Sequence, residues 1–393
     1  MNLRPRFPLR PALYWPFSSF YLFYFGSIGI LFPYWGLYMQ SLGFPPRQIG
    51  GLIAVLFVTK VIAPNVWSWW ADRHSGWIGM VRSGSILSAV IFAGLYFSPG
   101  YFSGQGLFWW FVLIFALFGF FWNSILPQLE AITLNHLGEN THRYGQIRLW
   151  GSVGFILAVL LFGQLLDRYD VGLVPHGMLV FLIAIGLSTL LISDHPDDAV
   201  VRQPQPIGPV LKQPRVLALL TACFLMQLGH GPFYTFYTIY LREYSYDNAL
   251  ISQLWALGVV AEVMIFIIMP SLSKWFGLRN LFLSSFALAG VRWLLVAWLP
   301  TYLWVQVFAQ LLHAATFGIF HAAAILFVHR FFVGSHQARG QGLYGSIGFG
   351  AGGAAGAFAS GLLWSSTGGG VTYVAAAVVS ILAFWVVWRW VRP

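Results

Sequence analysis

The sequence predicts an all-α polytopic membrane protein with twelve transmembrane helices in two bundles of six. Hydrophobic residues make up 58% of the 393-residue chain, and charged residues only 8%. Because a soluble domain carries roughly a quarter charged residues, this composition excludes a fold that covers its surface with water-facing side chains. The aromatic content of 18% agrees with a membrane location, since Trp and Tyr collect at the two bilayer interfaces.

Apolar runs long enough to cross a bilayer, about 20 residues each, recur along the whole chain. Six lie at about 15–41, 48–71, 77–98, 106–130, 144–167 and 172–193, and six more at about 216–242, 249–272, 279–299, 302–330, 339–366 and 370–390. A polar segment with five prolines separates the two sets. The expected domains are an N-terminal bundle at 1–195, a cytoplasmic linker at 196–214 and a C-terminal bundle at 215–393.

The distribution of basic residues predicts the orientation. With the N-terminus inside the cell, fifteen Lys and Arg residues fall on the cytoplasmic side, and the outside loops hold only Arg47, Arg168 and Arg242. Positively charged loops stay in the cytoplasm, so both termini and the linker are expected there, in a cell inner membrane. The basic residues form no cluster along the chain, so the net charge of +10 does not indicate nucleic acid. The first apolar run is too long for a cleavable signal peptide.

Eight ionisable residues stand out within the predicted helices, with Glu130 and Arg148 near a helix end and the other six far from one: Lys60, Glu130, Arg148, His230, Glu262, Arg292, His313 and His321. A charge at the bilayer centre costs about 2.5–3.5 kcal/mol on insertion scales, so each needs a partner or a function. Glu130 and Arg148 occupy adjacent antiparallel helices at similar depth, which predicts an ion pair. The pair is either structural or a site where the guanidinium binds a substrate carboxylate or hydroxyl. Glu262 and Arg292 are a second possible pair, in which Glu262 either stays paired or takes up a proton.

Three histidines extend this candidate site. His230 lies in the segment 229–232, where two glycines and a proline are expected to weaken the seventh helix so that it lines a cavity. His313 and His321 are about 80° apart on a helix, so both can face that cavity. Histidine suits a proton relay, although a packing role is an alternative for each. No metal or cofactor site is expected, because no HxxxH spacing and no nearby thiol or carboxylate pair is present.

The balance of interior charge predicts the kind of ligand. Lys60 lies too deep in the second helix to reach the interface, so it is expected in an aqueous cavity. The three cations Lys60, Arg148 and Arg292 exceed the two carboxylates by one, which favours an anion if both carboxylates are ionised. Tyr234 and its aromatic neighbours line the cavity or serve as packing.

Six plus six helices around a linker is the layout of transporters built from two related bundles around a midplane cavity. Segments 71–76 and 272–277 each place a charge before a glycine-containing turn, which is a weak internal repeat. The first segment resembles the loop motif of the major facilitator superfamily, although Ser68 replaces the first glycine of the motif. By this resemblance Asp72 and Arg73 are candidate gate residues, and solvated charges at a helix end are the alternative. Gly348, Gly352 and Gly356 predict a close helix contact.

Longer blocks resemble the 3-phenylpropionate permease family, a major-facilitator branch close to lactose permease and the nucleoside:proton symporters. The blocks lie at 25–35, 144–154, 254–263, 290–293 and 312–317. The resemblance covers nearly the whole chain and implies the major-facilitator fold and proton-coupled symport by alternating access.

The resemblance also implies roles for individual residues. Glu130 and Arg148 resemble the substrate-binding pair of lactose permease, and Phe155 stands where that transporter stacks a tryptophan on its sugar. Arg292 and His313 resemble its proton-coupling arginine and histidine. Charged members of its helix 10 network are replaced by Gln310 and Thr316, so the proton route does not carry over whole.

The sequence therefore predicts uptake of a small organic substrate with protons, with an aromatic carboxylate such as a phenylpropionate favoured. Sugar or nucleoside symport and proton-driven efflux are alternatives of the same fold, whereas an intramembrane enzyme lacks a nucleophile or metal constellation. The predicted substrate-binding residues are Lys60, Glu130, Arg148, Phe155, His230 and Tyr234, and the predicted proton-coupling residues are Glu262, Arg292, His313 and His321. The expected partners are the substrate, protons and the lipid bilayer, and the monomer is expected to function alone.

Overall fold

The computed structural model describes residues 11–71, 77–193 and 206–391, and all regular structure in these ranges is helical. The long helices are α1 (Pro11–Ser41), α2 (Pro46–Ala71), α3 (Trp77–Ala93), α4 (Gly104–Leu137), α5 (Tyr144–Arg168), α6 (Leu173–Leu190), α7 (Pro214–Glu243), α8 (Asn248–Phe276), α9 (Leu278–Trp298), α10 (Leu303–Phe331) and α11 (Gln337–Trp390). The all-helical fold class is confirmed.

Ten continuous helical stretches in the described ranges are long and apolar enough to cross a membrane. Two of them are far longer than one crossing needs, namely Gly104–Arg168 with 65 residues and α11 with 54. The first is interrupted by a 3₁₀ segment at Gly138–Arg143, and the second by Gly368, whose φ of 81° favours glycine. A crossing takes about 20 residues, so both stretches have room for two. The count of twelve stays a prediction, which these breaks support.

The helices form two groups. In the N-terminal group, α1–α6, α1 packs on α5 and α6, while α4 packs on α2 and α3. In the C-terminal group, α7–α11, α11 packs on α7 and α9, and α8 packs on α10. The groups meet mainly through α1 with α7, α2 with α11 and α5 with α8. The proposed boundaries at 195 and 215 stay a prediction, because residues 194–205 lie outside the described ranges.

Glycines allow α11 to fit tightly between α7 and α2. A Cβ added to Gly356 would lie 2.6 Å from the carbonyl oxygen of Leu228 in α7. On the other side of α11, a Cβ added to Gly350 would lie 2.6 Å from Cγ2 of Val61 in α2. The predicted close contact at the glycines of the eleventh helix is confirmed, and α11 uses two faces for it.

The two groups make their tightest contacts at one end of the molecule, which we call the closed end. It carries the connections 42–45, 169–172 and 244–247. A Cβ added there to Gly163 of α5 would lie 2.3 Å from Cβ of Ser252 in α8. The opposite end carries the α4–α5 break and the last residues of α6 and α11.

One arginine in each group closes the C-terminus of the last helix of that group. Arg82 of α3 donates from Nε to the carbonyl of Thr189 (3.2 Å) and from Nη2 to that of Ile192 (2.6 Å). Arg279 of α9 donates from the same two nitrogens to the carbonyls of Val391 (2.8 Å) and Trp388 (2.7 Å). Each guanidinium bridges carbonyls three residues apart, so it satisfies groups that a helix end leaves free. The equivalent placement indicates that the groups are structural repeats.

We expect Arg82→Lys and Arg279→Lys to lower stability by similar amounts, about 1 kcal/mol each. An ammonium keeps the charge at the helix end but does not bridge both carbonyls with a planar fork. Thermal unfolding in detergent measures the effect, with Arg47→Lys, at an exposed position, as the control. Unchanged unfolding in both variants would show that the bridging is not stabilising.

Candidate functional site

A row of three side chains crosses the interior of the C-terminal group. Arg292 of α9 is fully buried and donates from Nη1 to Nδ1 of His313 in α10, at 3.0 Å. Nε2 of the same imidazole lies 3.7 Å from Oε2 of Glu262 in α8. The expected direct Glu262–Arg292 pair is therefore wrong, because the His313 ring lies between the two.

The contacts of Arg292 determine where the His313 proton lies. A guanidinium only donates, so Nδ1 accepts and the proton of a neutral ring is on Nε2, facing Glu262. Arg292 also donates to Oγ1 of Thr316 (3.0 Å) and Oε1 of Gln310 (3.3 Å). The two residues that depart from the lactose permease pattern thus bind the guanidinium as neutral acceptors. The resulting row is arginine, histidine and carboxyl, with the carboxyl last.

A π-helical segment at Ala314–Ile319 in α10 aligns the two histidines. The Phe317 ring stacks on His313 at 5.3 Å and on His321 at 6.0 Å between centroids. The wider π turn brings residues four apart more nearly in line than an α-helix does. Nδ1 of His321 is hydrogen-bonded to the Tyr344 hydroxyl of α11, at 2.8 Å.

The N-terminal group contributes Glu130 and Arg148, but not as the expected ion pair. The Tyr144 hydroxyl donates to Oε1 of Glu130 at 3.1 Å. The Arg148 guanidinium lies over the Phe25 ring, 3.8 Å from its centroid. Within the described part of the chain, no Glu130–Arg148 contact is short enough for a salt bridge, although their charges interact. The expectation of a direct pair is wrong, because the phenol holds the carboxylate and the aromatic face holds the guanidinium.

Charged groups from both halves of the molecule interact with one another. The charge of Arg148 acts on Glu262 and on His321, both of the C-terminal group. Lys60, whose ammonium lies 5.3 Å from the Phe349 ring centroid of α11, interacts with Glu130. Lys60, Glu130, Arg148 and Glu262 are only half-buried. A set of interacting, partly exposed charges therefore lies between the two groups.

Two predicted substrate residues are less accessible. His230 is fully buried, with Nδ1 bonded to the carbonyl of Met226 (2.8 Å) and its ring against Trp293 (4.9 Å). The expected weakening of α7 stays a prediction, although Pro214–Glu243 runs through Pro232 as one helix and Gly231 serves close contact with α11. Phe155 is 8% exposed, and its backbone packs against Gly29 of α1.

The predicted substrate residue Tyr234 lies in α7. The half-buried Tyr234 ring lies 5.2 Å from that of Phe32 in α1, so it sits where the two groups meet. Asp72 and Arg73 lie outside the described residues.

Residues 14–375 match the MFS_1 like family. The chain belongs to that family. Its fold is of the major-facilitator type, as expected: the structure superposes on the nucleoside transporter NupG (D323A mutant) with a TM-score of 0.84. That match covers 97% of this chain and all of the other, at 17% sequence identity.

Two curated relatives of this MFS_1-like protein are transporters. A probable 3-phenylpropionic acid transporter of Escherichia coli (strain K12) is 29% identical, covering 91% of this chain and 93% of that protein. The maltose permease of Geobacillus stearothermophilus is 25% identical, covering 86% and 84%. The fold and the relatives indicate a multi-pass membrane transporter of small molecules.

Sequence reasoning missed several residues that shape the site. Tyr144 is one turn before Arg148 on α5, and this spacing is the signal that places both on one face. Phe25, Tyr344 and Phe349 have no such signal, because each reaches its charged partner across a helix interface.

Sequence reasoning also missed a link between the groups at the closed end. Asp167, at the end of α5, accepts from the backbone N–H of Asn248 (2.9 Å) and of Ala249 (2.8 Å) at the start of α8. The side chain of Asn248 donates back to the carbonyl of Leu166, at 3.1 Å. The first N–H groups of a helix lack partners within it and favour a negative charge. The carboxylate of one group thus closes the helix start of the other.

We expect Asp167→Asn to loosen the closed end, because the neutral amide loses the charge and one of the two acceptor oxygens. A cysteine introduced at the buried Ser252 reports the change through its maleimide labelling rate, against a background in which the native Cys223 is buried. Asp170→Asn is the matched control, since Asp170 accepts only locally, from the N–H of Gly172. Equal labelling in the two variants would contradict the role of Asp167.

Proposed function

We propose that this MFS_1-like protein is a proton-coupled symporter that imports a small organic anion, with an aromatic carboxylate such as a phenylpropionate as its substrate. The observation that carries the proposal is the row Arg292–His313–Glu262, whose carboxyl lies near enough to Arg148 of the other group for the two charges to interact. Glu262 is 17% exposed in its side chain and ends the row from Arg292 through His313. A carboxyl so placed exchanges protons and acts on the substrate-binding cation.

The coupling follows from charge. Ionised Glu262 partly balances Arg148, so an incoming carboxylate competes with it for the guanidinium. When Glu262 takes up a proton, Arg148 loses that counter-charge and the substrate carboxylate replaces it. Proton and anion therefore favour each other's binding, which is the thermodynamic requirement for symport. The Nε2–H of His313 provides a donor that stabilises Glu262 when the proton leaves.

The surroundings of Arg148 support an aromatic acid. Its guanidinium stacks on Phe25, with the ring of Tyr21 also near at 5.8 Å, so its cationic group is presented beside aromatic faces. An aryl ring stacks on such faces while its carboxylate meets the guanidinium fork. The name of the relative from Escherichia coli, a probable 3-phenylpropionic acid transporter, supports the same class of substrate.

We assign the structure to one state of an alternating-access cycle. The groups are joined at the closed end by Asp167, whereas the interacting charges lie between them and remain partly exposed. We infer that the closed end faces outward in a cell inner membrane, with both termini in the cytoplasm. The structure then represents an inward-facing state of a functional monomer, and Asp72 and Arg73 are proposed to gate the cytoplasmic side.

We expect Arg148→Lys to weaken substrate binding about tenfold or more, because an ammonium does not offer the paired donors of the fork. Competition of unlabelled acid with labelled substrate in proteoliposomes measures the affinity. Arg47→Lys, at an exposed position in the first turn of α2, is the control. An affinity equal to that of the wild type would remove Arg148 from the substrate site.

We expect Glu262→Gln to abolish accumulation driven by a pH gradient but to retain counterflow exchange, because the amide mimics the protonated carboxyl. Affinity in this variant should also lose its increase at acidic pH. Parallel uptake and counterflow assays separate the two activities. Equal loss of both would show that Glu262 is not the proton site.

The test of the function as a whole is uptake by proteoliposomes of a panel of aromatic acids, sugars and nucleosides, with and without an imposed pH gradient. Gradient-dependent accumulation of an aromatic acid supports the proposal. Accumulation of a sugar or nucleoside would keep symport and change the substrate. Export of the substrate while protons enter down their gradient would indicate efflux.

A further inference from the structure

Basic residues that are far apart in the sequence meet at the opposite end of the C-terminal group. A cavity of about 1240 Å³ lies between the α8–α9 turn and the last turns of α10 and α11. Its lining includes Lys274, Arg279, Arg330, Arg389, Asn280 and Trp388. We call it the basic cleft.

Among the described residues, no carboxylate lines the cleft to balance this charge. Glu262 is the last acidic residue of the chain, so α9, α10 and α11 contain no Asp or Glu at all. Arg279 is held by two carbonyl groups, whereas Lys274, Arg330 and Arg389 are exposed. Four like charges around one cavity repel each other, so an anion in the cleft is strongly favoured.

The repeat shows that the fold itself does not require the charge of Arg389. The N-terminal group closes its last helix in the same way, with Arg82 in place of Arg279. Arg82 binds the carbonyl of Thr189, and the next residue is Leu190, which is 59% exposed. Arg279 binds the carbonyl of Trp388, and the next residue is Arg389, so Leu190 and Arg389 hold equivalent positions. This position is thus apolar in one repeat and cationic in the other, so the charge of Arg389 is specific to the C-terminal group.

The cleft lies at the level of the lipid headgroups. Trp275 is 73% exposed next to Lys274, and Trp388 and Trp390 are about half exposed on either side of Arg389. Exposed tryptophans at helix ends mark the interface between hydrocarbon and water. The first turn of α9, which has no side-chain cap, also opens into the cavity. Apolar lining from Leu278 and Leu326 suits the glycerol and first acyl carbons of a lipid.

From these observations we propose that the basic cleft binds the phosphate headgroup of an anionic phospholipid. The guanidinium groups of Arg330 and Arg389 contact the phosphate oxygens through paired donors, and the Lys274 ammonium adds a point charge. Basic pockets between transmembrane helices bind lipids of this kind. The site is separate from the interior charges, so it stands whether or not the transport proposal holds.

Native mass spectrometry of the detergent-purified full chain, with phosphatidylglycerol or phosphatidylcholine added, tests the site. The wild type is expected to retain phosphatidylglycerol in preference to phosphatidylcholine. Arg330→Gln/Arg389→Gln is expected to lose that preference, with Arg279 left intact to hold α11. The control Arg47→Gln/Lys212→Gln removes two charges at exposed positions outside the cleft and is expected to keep it.

A second variant guards against a folding defect. Arg389→Leu copies the residue of the N-terminal repeat, so it is expected to fold normally and still weaken phosphatidylglycerol retention. Undiminished preference in both cleft variants would overturn the proposal. Complete displacement of the lipid from the wild type by inorganic phosphate would also overturn it, because the cleft would then be a site for a soluble anion.

Discussion

Ionisable side chains in a membrane interior need water, a counter-charge or hydrogen bonds, and this requirement organises the centre of the molecule. Arg292 obtains its partners from neutral acceptors and His313. Arg148 instead lies on the Phe25 ring and interacts at longer range with carboxylates in both groups. The first cation donates through both terminal nitrogens to three acceptors of its own group, and only its Nε lacks a hydrogen-bond partner. The second is held in place but donates no side-chain hydrogen bond to any described residue, which suits it to a ligand that comes and goes.

In the proposed alternating-access cycle, the contacts between the groups have to seal one end without fixing the molecule in one state. Glycine contacts such as Gly163 on Ser252 bring the helices together through backbone and small side chains. They are lost when the helices separate, without leaving charges in lipid. The Asp167 link is different, because a carboxylate and the N–H groups of a helix start are both readily hydrated. A link of this kind can open to water at low cost, and it lies at the end of the molecule, where water is available.

The two groups share an architecture but differ in their charge. The arginine bridges at the ends of α6 and α11 show a common plan, which the short segments 71–76 and 272–277 reveal only weakly in the sequence. The carboxyl row lies in the C-terminal group, whereas Arg148 and Lys60 lie in the N-terminal group. The interface thus brings Glu262 of one group near Arg148 of the other. Relative motion of the two groups would change the interaction between these charges.

The sequence by itself determined the membrane-spanning helical fold, the approximate limits of its segments and the set of ionisable residues in the interior, because hydrophobicity and the cost of buried charge are local properties of a segment. It did not determine the partners. Neither ion pair considered from the sequence forms a direct contact. Tyr144 binds Glu130, Phe25 stacks on Arg148, and His313 lies between Arg292 and Glu262, and these contacts arise only when helices are packed at particular rotations. The π segment of α10 and the backbone groups that Asp167 contacts in α8 have no local signal either. Basic residues scattered over more than a hundred positions became a cleft only in three dimensions, because the tertiary structure alone decides which helix ends are neighbours.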